Sequence, residues 1–510
     1  MPVLNPDLQT KLYRNGPHLY FCAGLAQHEN TFTALADLLG RDFDASPVSG
    51  HPFLDTLVEE LQGLQSGLWR IQLPDLHLEH LPLHVAGFNS RPLDLETPQF
   101  ERHAHSCRNS EVDDTLLKML LRAERWPVEA MPVFATAISL QGQTDFGIGR
   151  GSTAKSARTS ALLEALERRS AVFQGRHHVT RARPEDLPGR HLGREMLTQL
   201  DHEPEFSTAT DWVEGWSLRH QQRIFIPARE VFMGYHRDEG ILNASSSGCA
   251  LGSSLEEALL HGLFELIERD AFLLNWYSRS PVASLDLTLC MDSEVQGMLL
   301  VAGDLGYQVQ AFDTTTENGV PAVWVMAKGK GEGQIHSFSS LGAHMDPLRA
   351  LRGALQELLV SLELYPPSFD PTRAKLLLDH PEQVESGFDH FLFYAHFESQ
   401  KWLDFLPDPP HPEALRHFLD RRNHWKGADV VQKLTLLLQT LLDHHPDVAF
   451  VDLTTPGLSA LGLCAVRAVV PGLLPMTFGF SQQRTRNNPR LQAALQRNRT
   501  RLPEAPHPFP

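Results

Sequence analysis

Two helical segments with acidic stripes constrain this chain more than any other feature. The first reads Ser160-Ala-Leu-Leu-Glu164-Ala-Leu-Glu167-Arg168, and the second runs from Glu257 to Arg269 as EALLHGLFELIER. At about 100° per residue, Ser160, Glu164 and Glu167 fall on one helical face. On the second helix Glu257, His261, Glu265 and Glu268 share a face, while Leu259, Leu263, Leu266 and Ile267 fill the opposite one. Like charges at this spacing cost about 0.2–0.5 kcal/mol per pair unless something neutralises them. A solvated helix with internal ion pairs tolerates such a stripe. Here Ala161, Leu162, Ala165 and Leu166 leave little polar surface besides the acids. Two such stripes can face each other across a site, and they call for cations. Hard divalent ions holding a nucleotide, Mg2+ first, suit an all-oxygen ligand set.

The 510 residues exceed one ordinary core, so a large catalytic domain with a smaller module is expected. A content of 42% hydrophobic and 21% charged residues is that of a soluble globular protein. A net charge of −17 excludes a general nucleic-acid binder but leaves room for a local basic pocket for phosphates. The opening MPVLNPDLQTKLYRNG has no basic-then-apolar run, so no signal peptide is expected. No apolar stretch approaches the roughly 20 residues that span a bilayer, so no membrane association is expected. Cys22, Cys107, Cys249, Cys290 and Cys464 form no CxxC pair, which argues against a zinc ribbon or disulfide framework and for a cytoplasmic protein. His103-Ala-His105-Ser-Cys107 lacks a distant partner ligand and makes a poor structural metal site.

Residues 1–125 mix short apolar runs (HLYFCAGL, GLWRIQL, LPLHVAGF) with loops and a helical stretch near 52–66, the pattern of a small α/β module. Polar HSCRNSEVDD, followed by helical TLLKMLLRAERW, marks the boundary to a domain over 126–510. Beyond it MPVFATAIS reads as a buried strand, GRGS at 149–152 as a turn, and Thr153 to Gln174 as a helix. QRIFIPAREVF is strand-like, and a Ser245-Ser246-Ser247-Gly248 loop precedes the second acidic helix. Ser254 with Glu257 three residues on fits a capping box there. Helices are expected at 291–304, 347–363 and 428–443, and strands at 307–312, 320–327, 448–453 and 463–470. DPPHPE at 408–413 reads as a linker or long surface loop. The fold class is mixed α/β (α+β). Gly149-Arg150-Gly151 and the serine loop are plain turns or phosphate cradles, since glycine lets backbone amides approach a phosphate at a helix start.

SALLEALERRSA followed by SSGCALGSSLEEALLHGLFELIERDAF resembles the YcaO family of ATP-using, peptide-backbone-modifying enzymes. Val451-Asp-Leu-Thr-Thr-Pro-Gly457 and the run from Val466 to Gly472 fit the carboxy-terminal part of that domain, so the resemblance covers about residues 130–510. It implies Glu164, Glu167, Glu265 and Glu268 as Mg2+ ligands, with Ser160, Arg168, His261 and Arg269 near the ATP. Two positions depart from the family. Arg150 stands for its glycine-flanked lysine, which keeps the charge but changes the geometry around a phosphate. Gly353 stands for an arginine four residues before Glu357, with Arg349 and Arg352 as neighbours that could substitute.

The sequence closes on Pro506-His507-Pro508-Phe509-Pro510. A proline-rich end is commonly disordered, and Pro503-Glu-Ala-Pro506 also satisfies a loose PxxP pattern. Prolines at a period of two instead resemble the PxPxP ending of the azoline-forming branch of the family. Their rings stiffen the chain, and the resemblance implies that the carboxylate of Pro510 is a proton acceptor in the active site. As a terminal tail it is expected to bury little, so removing it should hardly change stability.

The activity implied is ATP-dependent cyclodehydration of Cys, Ser or Thr in a ribosomally made precursor peptide, giving thiazolines or oxazolines through a phosphorylated backbone amide oxygen. The partners implied are that peptide, an E1-like or related leader-peptide-binding protein, and a flavin-dependent dehydrogenase acting afterwards. A homodimer is compatible with the sequence, and residues 1–125 are expected to dock the partner or leader. Thioamide formation and a non-catalytic scaffold stay open, although intact Glu164, Glu167 and Glu265 argue against the scaffold.

Overall fold

A computed structural model describes residues 124–510 except 131–132, 140–145, 152, 174–176, 194–208, 236–244, 332–333, 409, 422–427, 456–457, 460 and 486. Before residue 124 it describes four strands and positions 93 and 95. The strands are β1 (Leu12–Asn15), β2 (His18–Ala23), β3 (Gly67–Gln72) and β4 (His77–Leu81), which form an antiparallel sheet in chain order. The runs HLYFCA and GLWRIQ are thus paired strands. The helix expected near 52–66, the boundary at 105–114 and the His103–Cys107 cluster lie outside the described residues.

The helix expected to reach Trp126 does not extend through that residue. Glu124–Ala130 is strand β5, paired with β6 (Val133–Ser139), which pairs in turn with β7 (Phe146–Gly151). Pro127 explains this, since a proline breaks a helix interior. Gly149-Arg150-Gly151 is likewise strand and not turn. A Cβ on Gly147 would sit 2.2 Å from the Ala161 carbonyl oxygen, and one on Gly149 1.9 Å from that of Ala157. Helix α1 (Ala154–Ala171), capped by Thr153, therefore lies directly on the strand. Ala157, Ala161 and Ala165 form the i, i+4 stripe that meets the glycines.

The largest sheet runs β10-β9-β16-β17-β11, with β8 also on β9. Its strands are β8 (Val179–Ala182), β9 (Thr210–Ser217), β10 (Gln222–Pro227), β11 (Cys249–Gly252), β16 (Ala449–Asp452) and β17 (Cys464–Val469). The strand in QRIFIPAREVF stops at Pro227, and Ala228–Val231 is a helical turn, since proline cannot donate to a ladder. Alternation gives the sheet two apolar faces. Ala449, Val451, Ala465 and Val469 pack in one core with Ala161 and Ala165 of α1. Phe450, Val466 and Ala468 pack in another with Leu259, Leu263 and Ile267 of α2 (Leu255–Ser278). The acidic helices thus cover opposite faces and meet at β11, the end strand. Ser254 caps α2, but the Glu257 carboxylate turns to the Ser253 amide and hydroxyl (2.7 Å each), so the capping box is incomplete.

A third sheet, β12 (Ala283–Ser284), β13 (Tyr307–Asp313), β14 (Ala322–Gly329) and β15 (Ser337–Ala343), is antiparallel in chain order. Helices α3 (Ser293–Asp304) and α4 (Pro347–Leu364) pack on it, and α4 also reaches β5, β6 and β7. That bridging position carries Glu357 to Arg150.

Candidate nucleotide and metal site

Both acidic helices repeat the spacing E-x-x-E-R, and in both the arginine folds back onto the first acid. Arg168 donates to Glu164 Oε1 at 2.8 Å, and Arg269 Nη2 lies 2.7 Å from Glu265 Oε1. The second oxygen of each acid accepts a backbone amide: Ile148 at 3.0 Å for Glu164, Gly248 at 2.8 Å for Glu265. Arg269 also donates to the Ser247 hydroxyl. The serine loop, read from sequence as a turn or cradle, is thereby tied to α2. Arg150 reaches from β7 to Glu357 Oε1 (3.0 Å), and Ser340 donates to the other Glu357 oxygen (3.2 Å). His261 Nδ1 lies 3.1 Å from the Leu251 carbonyl oxygen, which can only accept, so Nδ1 carries the proton and Nε2 stays open to a ligand. Ser160 is half-buried one turn before Glu164 on the same face.

Glu257, which shares the acidic stripe of α2, and Arg352, expected near the nucleotide, stand elsewhere. Glu257 is held at the start of α2 by Ser253. Arg352 donates through Nε to Asp292 Oδ1 (3.0 Å) and pairs with Glu294 (3.3 Å), both at the start of α3. The reason is helical phase: five residues at about 100° put Arg352 some 140° from Glu357, whereas Gly353 is only about 40° away. A Cβ on Gly353 would meet nothing within 4 Å, so the helix is bare beside Glu357. Arg150, from the opposite strand, supplies the cation that Glu357 faces.

Burial pushes the Glu164 carboxyl up, against the pull of Arg168 and Arg150. It pushes Glu167 well above the usual carboxylate range, helped by the charges of Glu265 and Glu164. Burial, then Glu357, raises Glu268 to about 8. A crowd of acids that resists ionising is what a cation relieves. Donors are also left over: Nε of Arg150 and Nε of Arg269 are buried without a partner, as suits polyanion oxygens. Among the described residues no three His, Cys, Asp or Glu side chains converge on one metal position.

The YcaO family, described as YcaO cyclodehydratase, ATP- and Mg2+-binding, matches residues 148–474, more than half of the chain. The chain belongs to the YcaO family. An uncharacterized protein of Methanothermobacter thermautotrophicus is 29% identical over 351 residues, 67% of this chain and 86% of that protein. Among solved structures, a heterocyclase in complex with substrate and cofactor covers 98% of this YcaO chain and 78% of its own, at TM-score 0.67 and 17% identity. YcaO from Methanopyrus kandleri, bound with AMPPCP and Mg2+, covers 69% of this chain and 85% of its own, at TM-score 0.51 and 22% identity. At such identities the likeness is one of fold. No helix among the described residues is long and apolar enough to cross a membrane.

The tail of this YcaO protein overturns one expectation: it is buried. Pro506, His507 and Pro508 are enclosed, and Phe509 packs against the core. Helix α5 (Gly387–Ala395) holds it: Tyr394 Oη donates to the Pro506 carbonyl at 2.6 Å, and His390 Nδ1 lies 2.8 Å from that of His507. His507 Nε2 in turn lies 2.9 Å from the Thr477 carbonyl. Sequence reasoning missed His390 and Tyr394, because GFDHFLFYA carries no pattern beyond an apolar helix. Phe272, four residues after Glu268 on α2, meets the rings of His507 and Phe509, so the tail lies about one helical turn from the acidic cluster.

Burial lowers His390 to about 4 and pushes His507 well below the usual imidazole range. An unfolded chain protonates both below about pH 6.5, whereas the folded one keeps them neutral. The unfolded state then binds more protons, so stability is lost as pH falls from about 6.5 toward 4. Between pH 7 and pH 5 the His390 site alone should cost roughly 2 kcal/mol. Urea unfolding at both pH values should show that loss in the wild type and a smaller one in His390→Gln. Equal losses in the two proteins would assign the acid sensitivity elsewhere.

Proposed function

We propose that this protein is an ATP- and Mg2+-dependent peptide cyclodehydratase that converts Cys, Ser or Thr residues of a ribosomally made precursor into thiazolines or oxazolines. The observation that supports it best is the pair of E-x-x-E-R helices, with orphaned arginine donors at the rim of a carboxylate cluster. The fold it shares with a heterocyclase bound to substrate and cofactor is consistent with this.

In this reading Glu164, Glu167, Glu265 and Glu268 would hold the Mg2+ ions. Arg150, Arg168, Arg269, Ser160 and His261 surround the nucleotide, and Glu357 orients Arg150. Bound Mg2+ offsets charge on the transferring phosphoryl group. The substrate thiol or hydroxyl attacks the preceding amide carbon and gives its proton to the Pro510 carboxylate. The amide oxygen, now an oxyanion, takes the γ-phosphoryl group of ATP and ADP leaves. The C–O bond to the phosphate then breaks as the C=N bond forms, the ring nitrogen's proton leaves on the departing orthophosphate, and the Pro510 carboxyl returns its proton to solvent. An amide oxygen leaves poorly as hydroxide and well as phosphate, which is why ATP is spent.

Residues 1–125 belong in this reading to docking of the leader or of an E1-like partner, and residues 126–510 to catalysis. The test is the mass of a Cys-, Ser- and Thr-containing precursor after incubation with protein, partner and Mg-ATP. One water lost per ring, with one ATP consumed, is the expected result. Exchange of oxygen for sulfur would replace the reading with thioamide formation, and ATP turnover without mass change would end it.

A further inference from the structure

We infer that Gly387, the first residue of α5, is a positioning residue that sets where Pro510 ends. The inference rests on the proposed role of that carboxylate. A Cβ built on Gly387 would lie 3.1 Å from the carboxyl carbon of Pro510, with the Phe478 ring at 3.4 Å closing the other side. That approach is tighter than side chains normally tolerate, so an alanine would push the last residue by a few tenths of an ångström.

Nothing else about position 387 asks for glycine. It stands at the start of an α-helix whose capping box is complete, with Ser386 accepting from Asp389 and Asp389 accepting from the Ser386 amide. Its backbone is not among those with positive φ. Alanine is a better helix former than glycine there, and it restricts the unfolded chain. Local propensity therefore favours replacement, and only the tail opposes it.

The rest of the tail is fixed independently. Tyr394 and His390 grip the Pro506 and His507 carbonyls from further along the same helix. His390 accepts from the Gly479 amide (3.3 Å), and its ring lies 4.2 Å from that of His507. Positions 506 and 507 are thus anchored by hydrogen bonds, whereas residue 510 is limited by shape against Gly387. Contact of Phe272 with Phe509 carries that limit to the helix of Glu268. A displacement at Gly387 reaches the reacting atoms without loosening the anchors.

The experiment compares Gly387→Ala, Gly303→Ala and a one-residue extension after Pro510 in the full-length protein. The probe is a synthetic peptide with Ala-Cys and Ala-Ser pairs, supplied with an E1-like partner protein and Mg-ATP. Gly303 is a helical glycine in the last turn of α3 with nothing within 4 Å of an added Cβ, so it reports a glycine-to-alanine change in a helix without touching the tail. Gly387→Ala should lower kcat for water loss about tenfold or more, because small misplacements at a reacting group are costly. KM for peptide and for ATP should hold, and the melting temperature should stay or rise as in Gly303→Ala. If the extension abolishes turnover while Gly387→Ala keeps the wild-type kcat, Gly387 has no positioning role and the carboxylate reading survives. If the extension is tolerated, that reading fails and takes this inference with it. A Gly387→Ala protein that loses activity and melts below both wild type and Gly303→Ala would assign the glycine a structural role instead.

Discussion

A single residue added after Pro510 is expected to abolish removal of water from the peptide while leaving the melting temperature unchanged. General-base catalysis contributes roughly 10²–10⁴-fold, and one further residue moves the terminal carboxylate by about 3 Å. The anchors of the tail lie earlier, at Pro506 and His507, so an extension leaves them in place. Deletion of residues 506–510 should behave differently. It strips the partners from Tyr394 Oη and His390 Nδ1 in a closed interior, at a cost of about 1–3 kcal/mol for each group left unsatisfied. The two variants therefore separate chemistry from folding: the extension loses turnover alone, and the deletion loses turnover and stability. Thermal melting and peptide mass on the same preparations measure both. A tagged protein that dehydrates its peptide at the wild-type rate would remove Pro510 from the mechanism.

The burial of the tail was hidden in the sequence for a definite reason. Proline-rich composition argues for a solvated end, and the groups that enclose this one lie more than a hundred residues away on α5. The acidic helices were legible because their information is local. A 3.6-residue period places Glu164 beside Glu167, and Glu265 beside Glu268, whatever else the chain does. Mixed architecture and the strands β6, β10, β13, β14, β16 and β17 followed from apolar runs in the same way, whereas β7, β9, β11 and β15 did not. The roles of Gly147 and Gly149 were not legible, since a glycine signals a turn unless one knows that an alanine stripe will lie on it. Pairing of Arg150 with Glu357 spans 207 residues and likewise leaves no trace in spacing. Arg352 is the instructive contrast. Its nearness to Gly353 in sequence favoured it, and the 100° step of the helix turned it toward Asp292.

Glu265→Gln and Glu164→Gln should each bring Mg2+-dependent ATP use to background while the protein stays folded. Each glutamine keeps a carbonyl oxygen to accept the amide that its acid now accepts, Gly248 in one case and Ile148 in the other. What it loses is charge. The remaining acids then offer too little negative potential to seat a metal, and the phosphoryl group is no longer held where its transfer is stabilised. Losing one electrostatic contact of this kind typically costs about 10²–10³-fold, and a misplaced metal adds to that. The Glu265 charge is the largest electrostatic influence raising Glu167, so Glu265→Gln should also bring the Glu167 carboxyl down toward its ordinary range. Glu257→Gln is the control: it lies on the same helix, but its carboxylate serves Ser253 and should leave ATP use near the wild-type rate. ADP release with Mg2+, peptide and partner reads all three variants. Full turnover in a folded Glu265→Gln or Glu164→Gln protein would take the metal away from that glutamate. A loss in Glu257→Gln as large as in the other two would show that any acid removed from these helices matters alike, and the cluster around Glu167 would lose its special standing.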